Sequence, residues 1–148
     1  MAIINNKIKP LKNDRDEKIF IGIDLPFRKS DGNEGWFAST KTTFDAVRNN
    51  VKSLLLTERG ERIMQPSLGL NLKKYLFEPL DEDLRLKIES EILQTFDFWL
   101  PFVNVIDLQV TFNGDVSDIG RNKIDISLSF NIKQNQDYFD TVSVTIGE

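Results

Sequence analysis

The sequence predicts an α+β fold: an antiparallel three-stranded C-terminal meander packed against two main helices, with an extended N-terminal arm. Three observations predict it. Apolar residues recur at helical spacing in two stretches, Phe44 to Leu55 and Leu84 to Trp99. Beyond Pro101 the period falls to two in three successive runs. The 148 residues contain no cysteine and no histidine, so packing rather than disulfides or a thiolate–imidazole metal site has to hold the fold together.

The elements follow in order. Met1 to Lys18 carries scattered Asn, Lys and Asp with few core candidates, too little apolar surface to offset the entropy of ordering, and is read as an arm. Ile19-Phe20-Ile21-Gly22-Ile23 is a short β-prone run closed by Pro26. Arg28 to Gly35 (RKSDGNEG) is turn chemistry. This run is expected to be a strand that pairs only on docking, which makes residues 1–40 an arm with a short strand and 41–148 the folded domain.

Thr42 followed by Asp45 forms a capping box for a first helix from Thr43 to Leu56, whose buried face is Phe44, Val47, Val51, Leu54 and Leu55. Gly60 supplies a stop or tight turn within Thr57 to Arg62, and Ile63 to Leu70, with Pro66 and Gly69, suits an irregular hook. Arg62 is expected to anchor that hook by holding a nearby carboxylate, with Glu78 the candidate by sequence proximity, or exposed carbonyls of the hook. A short helical stretch near Leu72 to Phe77 leads to Pro79 and Asp81-Glu82-Asp83, carboxylates that favour the positive end of a helix. The second helix carries the stripe Leu84, Ile88, Ile92, Phe96 and Trp99 and ends at Pro101. Asp81 with Arg85 and Asp83 with Lys87 are spaced for ion pairs on its wet face.

In the meander, Ile106, Leu108, Val110 and Phe112 alternate with polar residues, as do Ile124, Ile126, Leu128, Phe130 and Ile132, and finally Val142, Val144 and Ile146. Connections fall at Asn113 to Gly120 and at Gln134 to Asp137. The last strand, Thr141 to Ile146, is expected at a sheet edge, where unpaired backbone groups are a template for another chain's strand.

Composition excludes several functions. A chain of this size buries about 68–70% of its unfolded surface as one domain. Hydrophobic residues at 40% and charged residues at 28% are ordinary globular values. The longest apolar runs, such as Leu54-Leu55-Leu56, are too short for a bilayer, and the start has no signal-peptide core. A soluble protein made in the cytoplasm is expected. Without histidine or cysteine there is no Ser-His triad and no thiolate nucleophile. A net charge of −4 offers no basic surface for nucleic acid, so partners should be proteins and no cofactor is implied.

Glu58 and Glu61 are the one carboxylate pair in a loop that could suggest glycosidase chemistry. Arg59 and Arg62 beside them favour the ionised carboxylates, whereas a general acid must keep its proton, so ion pairing and turn capping fit better. Asp81, Glu82 and Asp83 lack the alternating spacing of a calcium loop. Phe96 and Trp99 read as core, and Trp36 and Phe37 as candidates for a partner contact.

The segment Val47 to Pro79 carries an ordered pattern: a helix ending Leu-Leu-x-Thr, then Gly-x-Arg, Pro-x-x-Gly and an amphipathic Leu-x-x-x-Leu-Phe. Thr57, Gly60, Arg62, Pro66, Gly69, Leu72, Leu76 and Phe77 supply it. With the helix and meander that follow, it resembles the gene 25-like baseplate wedge proteins of contractile phage tails and their relatives in type VI secretion, over roughly Ile19 to Ile146. That resemblance implies a structural subunit of the virion baseplate, assembled in the host cytoplasm. Its partners would be the tail sheath protein, other wedge proteins and, as a further candidate, the tail tube, with neither nucleic acid nor membrane. It implies that the sheet accepts a strand from the sheath, and the edge expected to receive it is Thr141, Val142, Ser143, Val144, Thr145 and Ile146. Relatives carry Glu-Pro-Arg after the long helix where this chain has Leu100-Pro101-Phe102, so Pro101 and Phe102 are expected to dock a wedge neighbour by an apolar contact. The lysozyme name attached to this family makes a cell-wall muramidase one alternative; a free-standing strand-addition adaptor is another.

Overall fold

The structure, a computed structural model, describes residues 20–30, 36–113 and 123–147. The readings of Met1 to Ile19, of Asp31 to Gly35 and of the Gly114 to Gly120 connection fall outside the described residues.

Strand β1 (Gly22–Ile23) pairs antiparallel with β2 (Ser39–Thr40). The ladder is extended by Ile21 N–H to the Thr40 carbonyl at 3.0 Å and Asp24 N–H to the Ala38 carbonyl at 2.9 Å. The run expected to wait for a docking partner therefore has one within its own chain. β2 is only two residues long and is too brief for alternation to reveal it. Buried Asn49 fastens this hairpin to the first helix by donating from Nδ2 to the Ile23 carbonyl at 3.2 Å.

Helix α1 spans Thr43–Leu56, as its spacing predicts, and Thr42 Oγ1 accepts the Asp45 N–H at 3.1 Å. A 3-10 helix covers Leu72–Phe77 and buries Leu72 and Tyr75. Helix α2 covers Glu82–Trp99. Asp81 is its N-cap, accepting the Leu84 N–H at 2.8 Å, so this carboxylate satisfies a helix end instead of forming the expected ion pair with Arg85. Arg85 instead pairs with Glu82 and lies 3.9 Å from Glu89, and Lys87 lies 3.3 Å from Glu78.

The sheet has the order β3-β4-β5, all antiparallel: β3 Val103–Asn113, β4 Lys123–Ile132 and β5 Asn135–Ile146. Its dry face holds Val103, Val110, Ile124, Ile126, Leu128, Phe130, Ile132, Val142, Val144 and Ile146. Helix α1 packs toward β5 and α2 toward β3, with Phe44 stacked on Phe130 at 5.8 Å between ring centres. Two details depart from the period-two reading. Val105 pairs with Phe130 and Asp107 with Ser129, which leaves Ile106 as the extra residue of a bulge; its side chain is turned outward and 52% exposed rather than inward with Leu108 and Val110. The β4–β5 turn is Lys133–Gln134, tighter than Gln134 to Asp137, and the slack is taken up inside β5: Asn131 faces Phe139 while Ile132 faces Asn135.

Candidate assembly interface

The residues of the Thr57 to Phe77 pattern build a closed loop between α1 and the 3-10 helix. Thr57 is the C-cap of α1; its Oγ1 donates to the Ser53 carbonyl at 2.7 Å, and its own carbonyl accepts the Leu70 N–H at 2.9 Å. Gly60 N–H donates to the Pro66 carbonyl at 2.8 Å, which crosses the base of the hook. Both glycines are required by the backbone: Gly60 has φ +91° and Gly69 φ +107°, the left-handed region that side chains disfavour. At Gly69 a β-carbon would also overlap the Thr57 carbonyl.

Arg59 holds this loop to α2. Its Nε donates to the Gly69 carbonyl at 3.0 Å and its Nη2 lies 3.7 Å from Glu91 Oε1. Glu91 also accepts from the buried Tyr75 hydroxyl and lies 3.7 Å from Lys74. Burial, then the hydrogen bond to Glu91, pushes the Tyr75 hydroxyl well above the ordinary phenol range. The anchoring expected of Arg62 with Glu78 is not what forms. Arg62 is exposed and reaches Ser53 Oγ at 3.3 Å, while Glu78 pairs with Lys87. Arg59 is three residues nearer the helix end, and only the fold brings it against α2; sequence carries no signal for Glu91 as its partner.

Glu58 and Glu61 are engaged in the same closure. Glu58 Oε1 lies 2.8 Å from Lys73 Nζ, and the Glu58 N–H donates to Glu61 Oε2 at 3.0 Å. The Glu58 carboxylate holds the Lys73 ammonium above its ordinary value. Among the described residues no group of acidic side chains is placed to hold a metal ion, and no helix is long and apolar enough to cross a membrane.

All six residues from Thr141 to Ile146 lie on β5, at the edge of the sheet. The hydrogen-bond phase of the ladder gives their directions. Lys133 N–H donates to the Phe102 carbonyl at 3.0 Å, one step beyond the Val103–Ile132 pair. Neither bulge adds a residue to β4, so residues of the same parity along it, Asn131, Ser129, Ser127 and Asp125, turn their backbone groups to β3. Thr111 Oγ1 reaching the Asp125 carbonyl at 3.5 Å fits that direction. Ile124, Ile126, Leu128 and Phe130 then face β5, paired with Ile146, Val144, Val142 and Asp140. It follows that Val142, Val144 and Ile146 turn their backbone groups to β4, and Thr141, Ser143 and Thr145 turn theirs to the open edge. The Thr141 N–H agrees: it donates to Asp140 Oδ1 at 2.8 Å rather than to β4.

Asp140, which also forms an ion pair with Arg48 of α1, escaped the sequence reading. A carboxylate in the inward parity of Val142 and Val144 is the signal that could have found it. Beside the far end of β5, Leu55, Leu56, Leu70, Leu72 and Ile146, together with Glu58 and Lys73, line an open hollow of about 130 Å³. Pro101 and Phe102 form the exposed turn between α2 and β3, next to Phe98, which is 74% exposed and set edge-on to Trp99. Trp36 and Phe37 are exposed on the β1–β2 hairpin, Phe37 lying 5.6 Å from Phe27 between ring centres.

A helix-backed three-stranded sheet with an open edge and a braced loop is the frame of a small α+β assembly module. The chain belongs to the baseplate wedge protein gp25 family, whose pattern it matches over residues 42–137. A comparison with curated proteins finds no match. Among solved structures, a chain of the anti-feeding prophage baseplate superposes with a TM-score of 0.60 at 23% identity, covering 78% of this chain and 86% of that one. A Geobacter sulfurreducens protein, nominally a tail lysozyme, superposes with a TM-score of 0.57 at 18% identity over 72% of this chain and 91% of the other. A chain of the contracted pyocin R2 baseplate aligns more loosely, at TM-score 0.46 and 16% identity over 82% and 98%. The family is a structural component of baseplates.

Proposed function

We propose that this wedge protein sits in the tail baseplate of a contractile phage or phage-like particle, assembled in the host cytoplasm, and starts the sheath by accepting a sheath strand on β5. The observation that carries this reading is the outward direction of the Thr141, Ser143 and Thr145 backbone groups on an edge whose wet face carries hydroxyls from Thr141 to Thr145. β3, the other edge, is broken by the Ile106 bulge and carries Asp107, both features that blunt strand addition. The Pro101–Phe102 turn, with exposed Phe98 beside it, is the surface for a neighbouring wedge protein. The tail tube is a further partner.

Two proline substitutions test the edge. Ser143→Pro removes an outward donor and adds a steric block, and proline is tolerated in a sheet where its nitrogen faces away from the ladder. Val144→Pro removes a donor to β4, worth about 0.5–1.5 kcal/mol net before any clash is counted. Ser143→Pro is expected to fold, enter baseplates and give bare tubes by electron microscopy, while Val144→Pro melts well below the native chain. Normal sheath on Ser143→Pro baseplates would refute the assignment and make β3 the next candidate.

The muramidase reading has the name of one structural neighbour behind it. Against it stand the engagements of Glu58 with Lys73 and of Glu61 with the Glu58 N–H, which commit both carboxylates to closing a loop. The reading proposed here is that of a protein without hydrolase activity. Zymography on the purified chain should show no clearing, and clearing that Glu58→Gln abolishes would reinstate the enzyme.

A further inference from the structure

We infer that the hollow beside the end of β5 is a side-chain socket, and that the strand added to this edge carries one aliphatic residue that fills it. The inference rests on the proposed strand addition and adds a selection rule to it. Five of the residues that enclose the hollow are apolar: Leu55 and Leu56 from the end of α1, Leu70 and Leu72 from the loop and 3-10 helix, and Ile146 from β5. Thr145 and Gly147 complete the β5 side. No residue of β3 or β4 lines it, so it lies at the outer border of the sheet.

Strand geometry says what would enter. Side chains alternate between the two faces along a strand, and neighbours in register share a face. A strand hydrogen-bonded to the outward groups of Ser143 and Thr145 therefore places the residue beside Ile146 on the dry face, over the hollow. An apolar residue suits it, because five of the lining side chains are apolar and the two charged ones, Glu58 and Lys73, are already paired with each other. The volume bounds its size: a hollow of about 130 Å³ is close to the roughly 150 Å³ cavity that accepts benzene, so one leucine or isoleucine side chain fits. The Glu58–Lys73 ion pair, at 2.8 Å, is part of the same lining.

The other end of the edge is closed. Asp140 Oδ1 takes the Thr141 N–H, and Arg48 holds the same carboxylate. Beyond it β5 is bulged between the Asn131–Phe139 and Ile132–Asn135 pairs, and bulges end regular pairing. The incoming strand is thus short, bounded by the Asp140 cap at one end and by the socket at the other.

The test uses amide and methyl NMR titration of the full chain with acetylated threonine heptapeptides that differ only in a central leucine or alanine. On the native chain the leucine peptide should shift the Ser143 and Thr145 amides and the Leu56 and Ile146 methyls. The alanine peptide should bind about tenfold more weakly, the effect of losing an aliphatic side chain from an apolar site. Leu56 is half exposed, so Leu56→Glu should fold; it should lower leucine-peptide binding to the alanine level and leave alanine-peptide binding unchanged. Ser143→Pro should abolish both. Equal binding of the two peptides, with Ser143→Pro still blocking, overturns the socket and leaves the edge standing. Shifts confined to β3, or no shift with either peptide, overturn both.

Discussion

Within the Thr57 to Leu70 loop, Gly60, Gly69, Arg59 and Arg62 have different surroundings and so should differ in what they contribute to stability. Gly60 and Gly69 both have positive φ, but Gly60 opens on space whereas Gly69 abuts the Thr57 carbonyl. An alanine at Gly60 should cost roughly 1 kcal/mol for its backbone conformation, and one at Gly69 more than about 2 kcal/mol because overlap adds to strain. The arginines divide similarly. Arg59→Lys loses the fork that reaches Gly69 and Glu91 together, at about 1 kcal/mol, whereas Arg62→Lys should stay within about 0.5 kcal/mol, as exposed polar contacts do. Urea denaturation of the four variants should therefore rank Gly69→Ala as most damaging and Arg62→Lys as least; a large loss at Arg62 would contradict the contacts found.

At the scale of elements, the hydrogen-bond phase of β5 decides what the edge offers. Amide hydrogen exchange of the isolated chain should show Val142 and Val144 protected by β4, Ser143 and Thr145 exchanging far faster, and Thr141 slowed by Asp140. The opposite alternation would mean that the other face of the strand is open. Much of this level was legible in the sequence. The bounds of α1, the N-terminal carboxylates of α2 and the three strands follow from periodicity and capping, which are local properties. What was not legible depends on tertiary or cross-strand context. The bulge at Ile106 preserves an apolar residue while reversing its face. β2 is too short to carry a pattern. The partner of Arg59 lies on another helix, and the phase of an edge strand is set by its neighbour's ladder. The loop glycines and Thr57 could be recognised as a pattern, but the reason for Gly69, the nearness of the Thr57 carbonyl, exists only in the folded chain.

Over the whole molecule, the described residues divide into a helix-covered dry face and several exposed apolar patches around it. Ile63 and Met64 are more than 90% exposed at the tip of the hook and Trp36 is 83% exposed on the hairpin. Phe98 and Phe102 flank the α2–β3 turn. Exposed apolar groups distributed in this way suit the proposed role of a subunit held between several neighbours. Whether the sheath begins as a strand added to β5 can be seen in a cryo-EM map of the assembled baseplate at its junction with the first sheath ring. The expected result is a fourth strand, contributed by the sheath and hydrogen-bonded to Ser143 and Thr145, bounded by Asp140 at one end and placing an aliphatic residue against Leu56 and Ile146 at the other. A β5 edge left bare or covered by another wedge protein, with the sheath strand on β3 or absent, would contradict it.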